Sequence, residues 1–218
     1  MCGRLTITSS KDEIEAHLKI KMPDDFVPSY NVAPTQNVVA VLNIDPAVGK
    51  IAKWGLVPSW SKDQSIGIRL FNARAETISE KPLFRNLFKK KRCFIVADGF
   101  FEWKKEGKLK RPYFIHLKGG EPFSFAGLWD EWKTPNGINL LTCTIITTTP
   151  NSMVGQLHDR MPVVLDNTTR ALWLSESSDT SLLNSLMGPF DETKMEMYEV
   201  SKLCNKAGYD SLECIVPV

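Results

Sequence analysis

Apolar residues recur at two periods along this chain, and the two-residue period dominates its middle. Between Arg92 and Thr148 the runs Cys93–Ala97, Phe100–Lys104, Tyr113–Leu117, Phe123–Leu128 and Leu140–Thr147 are rich in aromatic and β-branched residues and read as strands. The connections Glu106-Gly107-Lys108, Gly119-Gly120 and Pro135-Asn136-Gly137 carry turn chemistry, so neighbouring strands are predicted to pair antiparallel. Val38–Leu42 and Ile51–Val57 are two more strands, the second broken by Pro58-Ser59-Trp60. Helical spacing is confined to short stretches. Ser10-Lys11-Asp12-Glu13 is a capping box ahead of a helix with Ile14, His17 and Leu18 on one face. A second helix is predicted from Ser79 to about Phe88, with Leu83, Leu87 and Phe88 as its apolar stripe and Lys89 to Lys91 at the end the helix dipole favours. Further helices are expected at about 168–175 and 179–187, with strands near Pro162–Leu165 and Met195–Val200. Residues 23–36 read as irregular.

No internal repeat, low-complexity linker or composition break divides the chain, so residues 1–218 are expected to form one domain. Its predicted class is α+β, with a curved, mainly antiparallel sheet or partly closed β-barrel as the core and short helices at its flanks. The net charge of +2 is too small to define a nucleic-acid protein, so an anionic partner needs a local cluster of bases. One exists. Lys81, Arg85, Lys89, Lys90, Lys91, Arg92, Lys104, Lys105, Lys108, Lys110 and Arg111 face only Asp98, Glu102 and Glu106 as acids in the same stretch. The bland alternative is a solvated helix end followed by a basic hairpin tip.

The five cysteines, at 2, 93, 143, 204 and 214, are odd in number and include no C-x-x-C pair. Neither a disulfide framework nor a zinc site is predicted, and no metal or cofactor is expected. The N-terminus has no secretory leader or lipobox, and the apolar stretches fall short of a ~20-residue span. A reducing, cytoplasmic location without a membrane partner follows as the expectation.

Against that plain background the first residues stand out: Met1-Cys2-Gly3-Arg4. Removing the initiator Met leaves a cysteine with a free α-amine, two nucleophiles on one carbon. An α-amine titrates near ~7.7–8.0 and a thiol near ~8.5, so both are partly reactive at neutral pH. In turn they can convert one aldehyde to a Schiff base and then to a five-membered thiazolidine. The structural alternative is a small buried hydrophobe in a first strand.

Four other segments carry chemistry. Phe71-Asn72-Ala73-Arg74-Ala75-Glu76-Thr77 sets an amide, a guanidinium and a carboxylate in a segment with little apolar period. Asp98-Gly99-Phe100-Phe101-Glu102-Trp103 places carboxylates among rings, where a raised pKa would make a general acid. Strand alternation alone favours a solvent-facing Glu102. His158-Asp159-Arg160-Met161-Pro162 offers a histidine able to shuttle protons, or one that satisfies a local hydrogen bond. Trp54-Gly55-Leu56-Val57-Pro58-Ser59-Trp60 presents rings and a proline suited to stacking on bases, although Trp54 also suits the core. There is no G-x-S-x-G elbow, Walker loop, G-x-G-x-x-G fingerprint or H-E-x-x-H.

These segments, with Ala33-Pro34-Thr35, occur in the order found in the SRAP family of SOS-response-associated peptidases, and the chain closely resembles that family of abasic-site processing proteins. The resemblance spans residue 1 to about 165 and implies an SRAP-like fold. It implies that, after Met1 removal by methionine aminopeptidase or by self-processing, Cys2 captures the ring-opened aldehyde of an abasic site in single-stranded DNA. Asn72 would orient the Cys2 amine, Glu102 would move protons, and His158 would assist the Schiff-base chemistry. Arg4, Arg74 and Arg160 would hold phosphates, with Pro34 and Trp60 against bases. No cofactor is implied, and a monomer is expected. The loop continues Ser61-Lys62-Asp63 where some members carry bulkier residues. Two rivals remain at this stage: Met-Cys-Gly also opens N-terminal-nucleophile glutamine amidotransferases, and the basic strip with the tryptophans would suit a non-catalytic single-strand DNA binding module.

Overall fold

The computed structural model describes residues 2–107, 109–176 and 179–218. Met1 and Lys108 lie outside the described residues. Five strands close a barrel: β3 (Asn37–Leu42), β4 (Asp45–Trp54), β6 (Arg92–Ala97), β9 (Phe123–Lys133) and β10 (Asn139–Thr148). Around the ring β10 pairs β4, β4 pairs β3, β3 pairs β6, β6 pairs β9 and β9 returns to β10. Four of these ladders are antiparallel, as the short turns predict. The closing ladder, β4 with β10, is parallel, with Lys53 and Trp54 opposite Thr142 and Cys143. Parallel partners need a long connection, and here almost the whole middle of the chain supplies it.

Beside the barrel lies a second, fully antiparallel sheet in the order β13 (Met195–Glu199), β8 (Leu109–Leu117), β7 (Gly99–Glu106), β1 (Leu5–Ile7), β2 (Ser29–Val32). Its two faces have different partners. Leu5, Phe100 and Ile115 join the barrel's core, where the Phe100 ring meets Phe125 of β9 edge-on with centroids 5.8 Å apart. Phe101 and Phe114 face the other way and pack with Cys204, Cys214 and Val200 of the C-terminal segment. Both faces of β7 are therefore covered.

Short strands extend the barrel's rim: β5 (Asn72–Arg74) runs parallel along β10, β11 (Met161–Pro162) pairs antiparallel with the end of β10, and β12 (Val164–Leu165) pairs antiparallel with β9. The helices are α1 (Lys11–Leu18), α2 (Arg85–Lys90), α3 (Asn167–Leu174) and α4 (Thr180–Ser185). Both halves of the Ser10 capping box form in α1. The second helix is shorter than its apolar stripe predicts. Pro82 has no N–H to give and restricts the residue before it, so the chain turns at Lys81 and the helix begins only at Arg85. Every residue of β6 is buried, because the barrel lies on one side and α3 packs on the other. Arg92 is buried with them. Its guanidinium donates to the Phe88, Lys89, Trp173 and Ser175 carbonyls, tying the ends of α2 and α3 to the barrel.

Gly127 marks where β9 is squeezed between β6 and β10. A Cβ there would stand 2.3 Å from Ile95 Cδ1 and 2.7 Å from the Thr144 carbonyl oxygen. The carbonyl belongs to a ladder and cannot retreat. Gly127→Ala is expected to cost about 1–3 kcal/mol of stability in a denaturant titration, the range typical of overpacking. An unchanged midpoint would mean that the barrel wall yields there.

Candidate functional site

The seam between the second sheet and the barrel collects the predicted chemistry. β1 runs antiparallel to β7 with Leu5 opposite Phe100 and Thr6 opposite Gly99. The ladder continues toward the N-terminus, where Phe101 N–H donates to the Arg4 carbonyl at 3.1 Å. The first residues of the chain therefore run beside Glu102. From the barrel side β5 brings Asn72, whose Nδ2 donates to the Cys2 carbonyl at 2.7 Å. Asn72 Oδ1 is buried without a hydrogen-bond partner among the described residues, an acceptor held in readiness next to residue 2.

Alternation along β7 does operate at Glu102, but the outcome differs from the solvent-facing expectation. Glu102 shares the parity of Phe100 and so points to the barrel side, where it is only 1% exposed. Burial pushes its carboxyl up to about 7, and the negative charge of Asp159 adds to the rise, while a hydrogen bond from the Trp103 backbone works against it. Cys2 is fully buried, and its thiol is pushed well above the usual range first by burial and then by the charge of Glu102. The charge of Glu102 therefore reaches the Cys2 thiol.

His158 follows a single helical turn over 154–156 and precedes β11, so the rim of the barrel fixes its backbone. Its Nδ1 lies 3.0 Å from the Arg160 backbone N–H and 2.8 Å from Asp159 Oδ1. The first contact needs a bare Nδ1 and the second a protonated one, so the proton's position selects between them. Burial holds the ring below the ordinary histidine value, with Lys105 and Arg160 acting in the same sense and Asp159 against it. The neutral ring, accepting from Arg160, is thus favoured. Glu102 and His158 line one open pocket of about 510 Å³ together with Trp103, Lys105, Lys110 and Asn205.

The remaining expected residues divide into two groups. Trp60 is 69% exposed, whereas Trp54 is fully buried in the core. The Trp60 loop is firmly held: Asp130 accepts from Ser59 N–H at 2.8 Å, and Trp132 Nε1 donates to the Ser61 carbonyl at 2.7 Å. Pro34 is half-buried beside Thr35, which adopts a φ of 76°. Arg74 is exposed at the end of β5. Arg4 and Arg160, expected at phosphates, have their guanidinium groups engaged within the protein. Arg4 donates to Asn31 Oδ1 and to the Cys204 and Asn205 carbonyls, fastening the C-terminal segment to β1. Arg160 makes a two-pronged pair with Glu76 and also reaches the Thr147 carbonyl, joining the turn after β5 to the turn that carries His158. Asn205, held by Trp103 Nε1 at 2.6 Å, was not foreseen as a pocket residue. No local pattern marks it, because it reaches the pocket only through tertiary docking.

The pattern of the SOS response associated peptidase (SRAP) family matches residues 1–207, and the chain belongs to that family. It is 46% identical over 222 residues to the abasic site processing protein YoqW of Bacillus subtilis, covering 99% of both chains. It is also 44% identical to the abasic site processing protein YobE of the same organism, over 94% of this chain and 96% of that one. A crystal structure of a Bacteroides thetaiotaomicron protein superposes with a TM-score of 0.91 at 28% identity, covering all of both chains.

The raised Glu102 carboxyl has a signed consequence for stability. The unfolded carboxyl titrates near ~4.3, so between there and a folded value of about 7 the native state keeps a proton that the unfolded chain has lost. Native stability contributed by this group falls as pH rises through that window. Glu102→Gln cannot ionise, so its melting temperature relative to wild type should be higher at pH 8 than at pH 5. A difference that stays constant across the series contradicts the raised value.

Proposed function

We propose that the chain captures abasic sites in single-stranded DNA as a thiazolidine at Cys2, after methionine aminopeptidase or self-processing has removed Met1. The observation that carries this reading is a fully buried Cys2 within reach of the charge of a buried Glu102 whose carboxyl is pushed up to about 7, with Asn72 bonded to the Cys2 backbone. The abasic-site role in the names of YoqW and YobE supports the same substrate.

The chemistry follows from where protons must travel. Opening the sugar ring breaks the C1′–O4′ bond, puts a proton on the ring oxygen, which a carboxyl pushed up to about 7 can give at neutral pH, and removes one from the C1′ hydroxyl, which the neutral His158 can take, leaving the aldehyde. The neutral Cys2 amine attacks the aldehyde, and loss of one water gives the imine. Asn72 Oδ1 accepts from the amine and aims its lone pair, a role supported by its burial without a partner among the described residues. Sulfur then bonds to the former aldehyde carbon, and the thiol proton passes to the ring nitrogen, with no net proton gained or lost. Burial keeps that thiol protonated until the imine forms, which orders the two attacks. His158, neutral and on the pocket wall with Glu102, serves as the second acid–base group. A stable ring matters physically, because an open imine invites hydrolysis or elimination of the 3′ phosphate.

Trp60 and Pro34 supply surfaces for bases beside the lesion, and exposed Arg74 supplies charge for a phosphate. Arg4 and Arg160 contribute as braces, holding the C-terminal segment and the His158 turn.

Cys2→Ser keeps the amine and loses the sulfur. With abasic single strand it should give an adduct only when borohydride traps the imine, whereas wild type gives a heat-stable adduct without reductant. A heat-stable adduct from Cys2→Ser would refute ring closure by sulfur. In a Cys2→Ala background, Trp60→Ala is expected to weaken binding of the same strand by ~1–3 kcal/mol, the usual worth of one stacked base.

A further inference from the structure

The β7–β8 hairpin carries a charge arrangement that folding alone does not explain. Lys105 and Lys110 sit directly opposite each other in its ladder. Like charges at facing positions destabilise an antiparallel pair. The neighbouring pair, Lys104 with Arg111, is neutralised: Lys104 lies 3.1 Å from Glu106, and Arg111 pairs with both Glu106 and Glu199. Lys105 and Lys110 have no such ion pair among the described residues, and both line the pocket with Glu102 and His158. Among the described residues, the other bases of the Lys81–Arg111 strip do not line that pocket. Lys91 is bound to Asp130, Arg92 is buried under α3, and Lys89 and Lys90 stand on α2. Among the described residues, the strip's positive charge at the pocket therefore comes from this cross-strand pair, and Lys105, like Arg160, is near enough for its charge to oppose protonation of His158.

We propose that Lys105 and Lys110 together bind one backbone phosphate beside the lesion, so that the hairpin holds the single strand across the mouth of the Glu102–His158 pocket. The inference rests on the abasic-DNA reading of that pocket. An anion between the two ammonium groups removes the repulsion that the free protein carries, and the lesion sugar is thereby set against the acid–base pair.

The test uses Cys2→Ala protein, which binds without cross-linking, and abasic single strands in which each phosphate near the lesion is replaced in turn by a neutral methylphosphonate. Lys105→Gln with Lys110→Gln should lower the slope of log affinity against log salt by roughly 0.7, the value of one single-strand phosphate. That variant should lose no further affinity when one particular phosphate is neutralised, a substitution that weakens the parent. Lys105→Arg with Lys110→Arg should behave as the parent, and Lys89→Gln with Lys90→Gln should leave the sensitivity to that phosphate intact. The melting temperature of the Gln variant at low salt should equal or exceed that of the parent, since a repulsive pair has been removed. A parental salt slope in the Gln variant, or undiminished sensitivity to every methylphosphonate, overturns the assignment. Failure of the wild-type chain to form an adduct with saturating abasic strand would instead remove the underlying reading, and the two failures are separately visible.

Discussion

The ladder between β1 and β7 is the constraint on which the site depends. It is short, with Leu5 and Thr6 opposite Phe100 and Gly99, yet it decides which side chains the first residues of the chain can meet. A one-residue slip would turn Glu102 from the barrel side to the C-terminal side of the sheet, because successive strand residues face opposite ways. Two features pin the register. Gly99 leaves room for the Phe114 ring, whose Cζ would lie 2.2 Å from a Cβ at that position. Asp98 gathers the Thr6 hydroxyl and the Thr8 and Ser9 N–H groups just before it, so the turn into α1 is fixed to the start of β7. Residue 2 is placed by packing and hydrogen bonds several residues away from itself.

The barrel contributes the other half. Asn72 and His158 lie far apart in sequence, but β5 runs along β10 and the His158 turn springs from the end of β10, so both ride on one strand. The Glu76–Arg160 pair joins the two segments directly and ends at the Thr147 carbonyl of that strand. Such a brace limits relative motion of the amide that touches Cys2 and the ring that shares a pocket with Glu102. Burial sets the protonation of all three titrating groups in the same sense, toward the neutral form: a protonated thiol, a carboxyl near 7 and a bare imidazole. For a reaction that begins with neutral nucleophiles and an aldehyde, this is the useful starting state.

Much of the architecture was legible in the two-residue period. The run from Cys93 to Thr147 carries three of the barrel's strands, β6, β9 and β10, and the β7–β8 hairpin because long strands with turn residues between them leave a local record. The three-residue strands β1 and β5 left none, since so short a segment has no period to read, and both are held by distant partners. Barrel closure through the parallel β4–β10 ladder is likewise a non-local event. The Ser79–Phe88 stripe overstates its helix because Pro82 interrupts it, and the helix forms only over Arg85–Lys90. At the site, Cys2, Asn72, Glu102 and His158 could be nominated from residue type and family resemblance. The burial of Glu102 could not be read, because alternation reveals two faces of a strand and not that both are covered. The engagement of Arg4 and Arg160 by carbonyls and Glu76, and the arrival of Asn205 at Trp103, depend on how the C-terminal segment docks, which no local pattern encodes.

In the proposed reaction both nucleophiles of residue 2 bond to one carbon of the lesion. Tandem mass spectrometry of the N-terminal peptide, taken from wild-type adduct after nuclease trimming and treatment with a thiol-alkylating reagent, tests it most directly. The expected peptide begins at Cys2, carries the deoxyribose remnant less one water, and has no alkyl group on the Cys2 sulfur. A remnant attached to Lys105 or Lys110, or a Cys2 that carries the sugar and is alkylated as well, would contradict it.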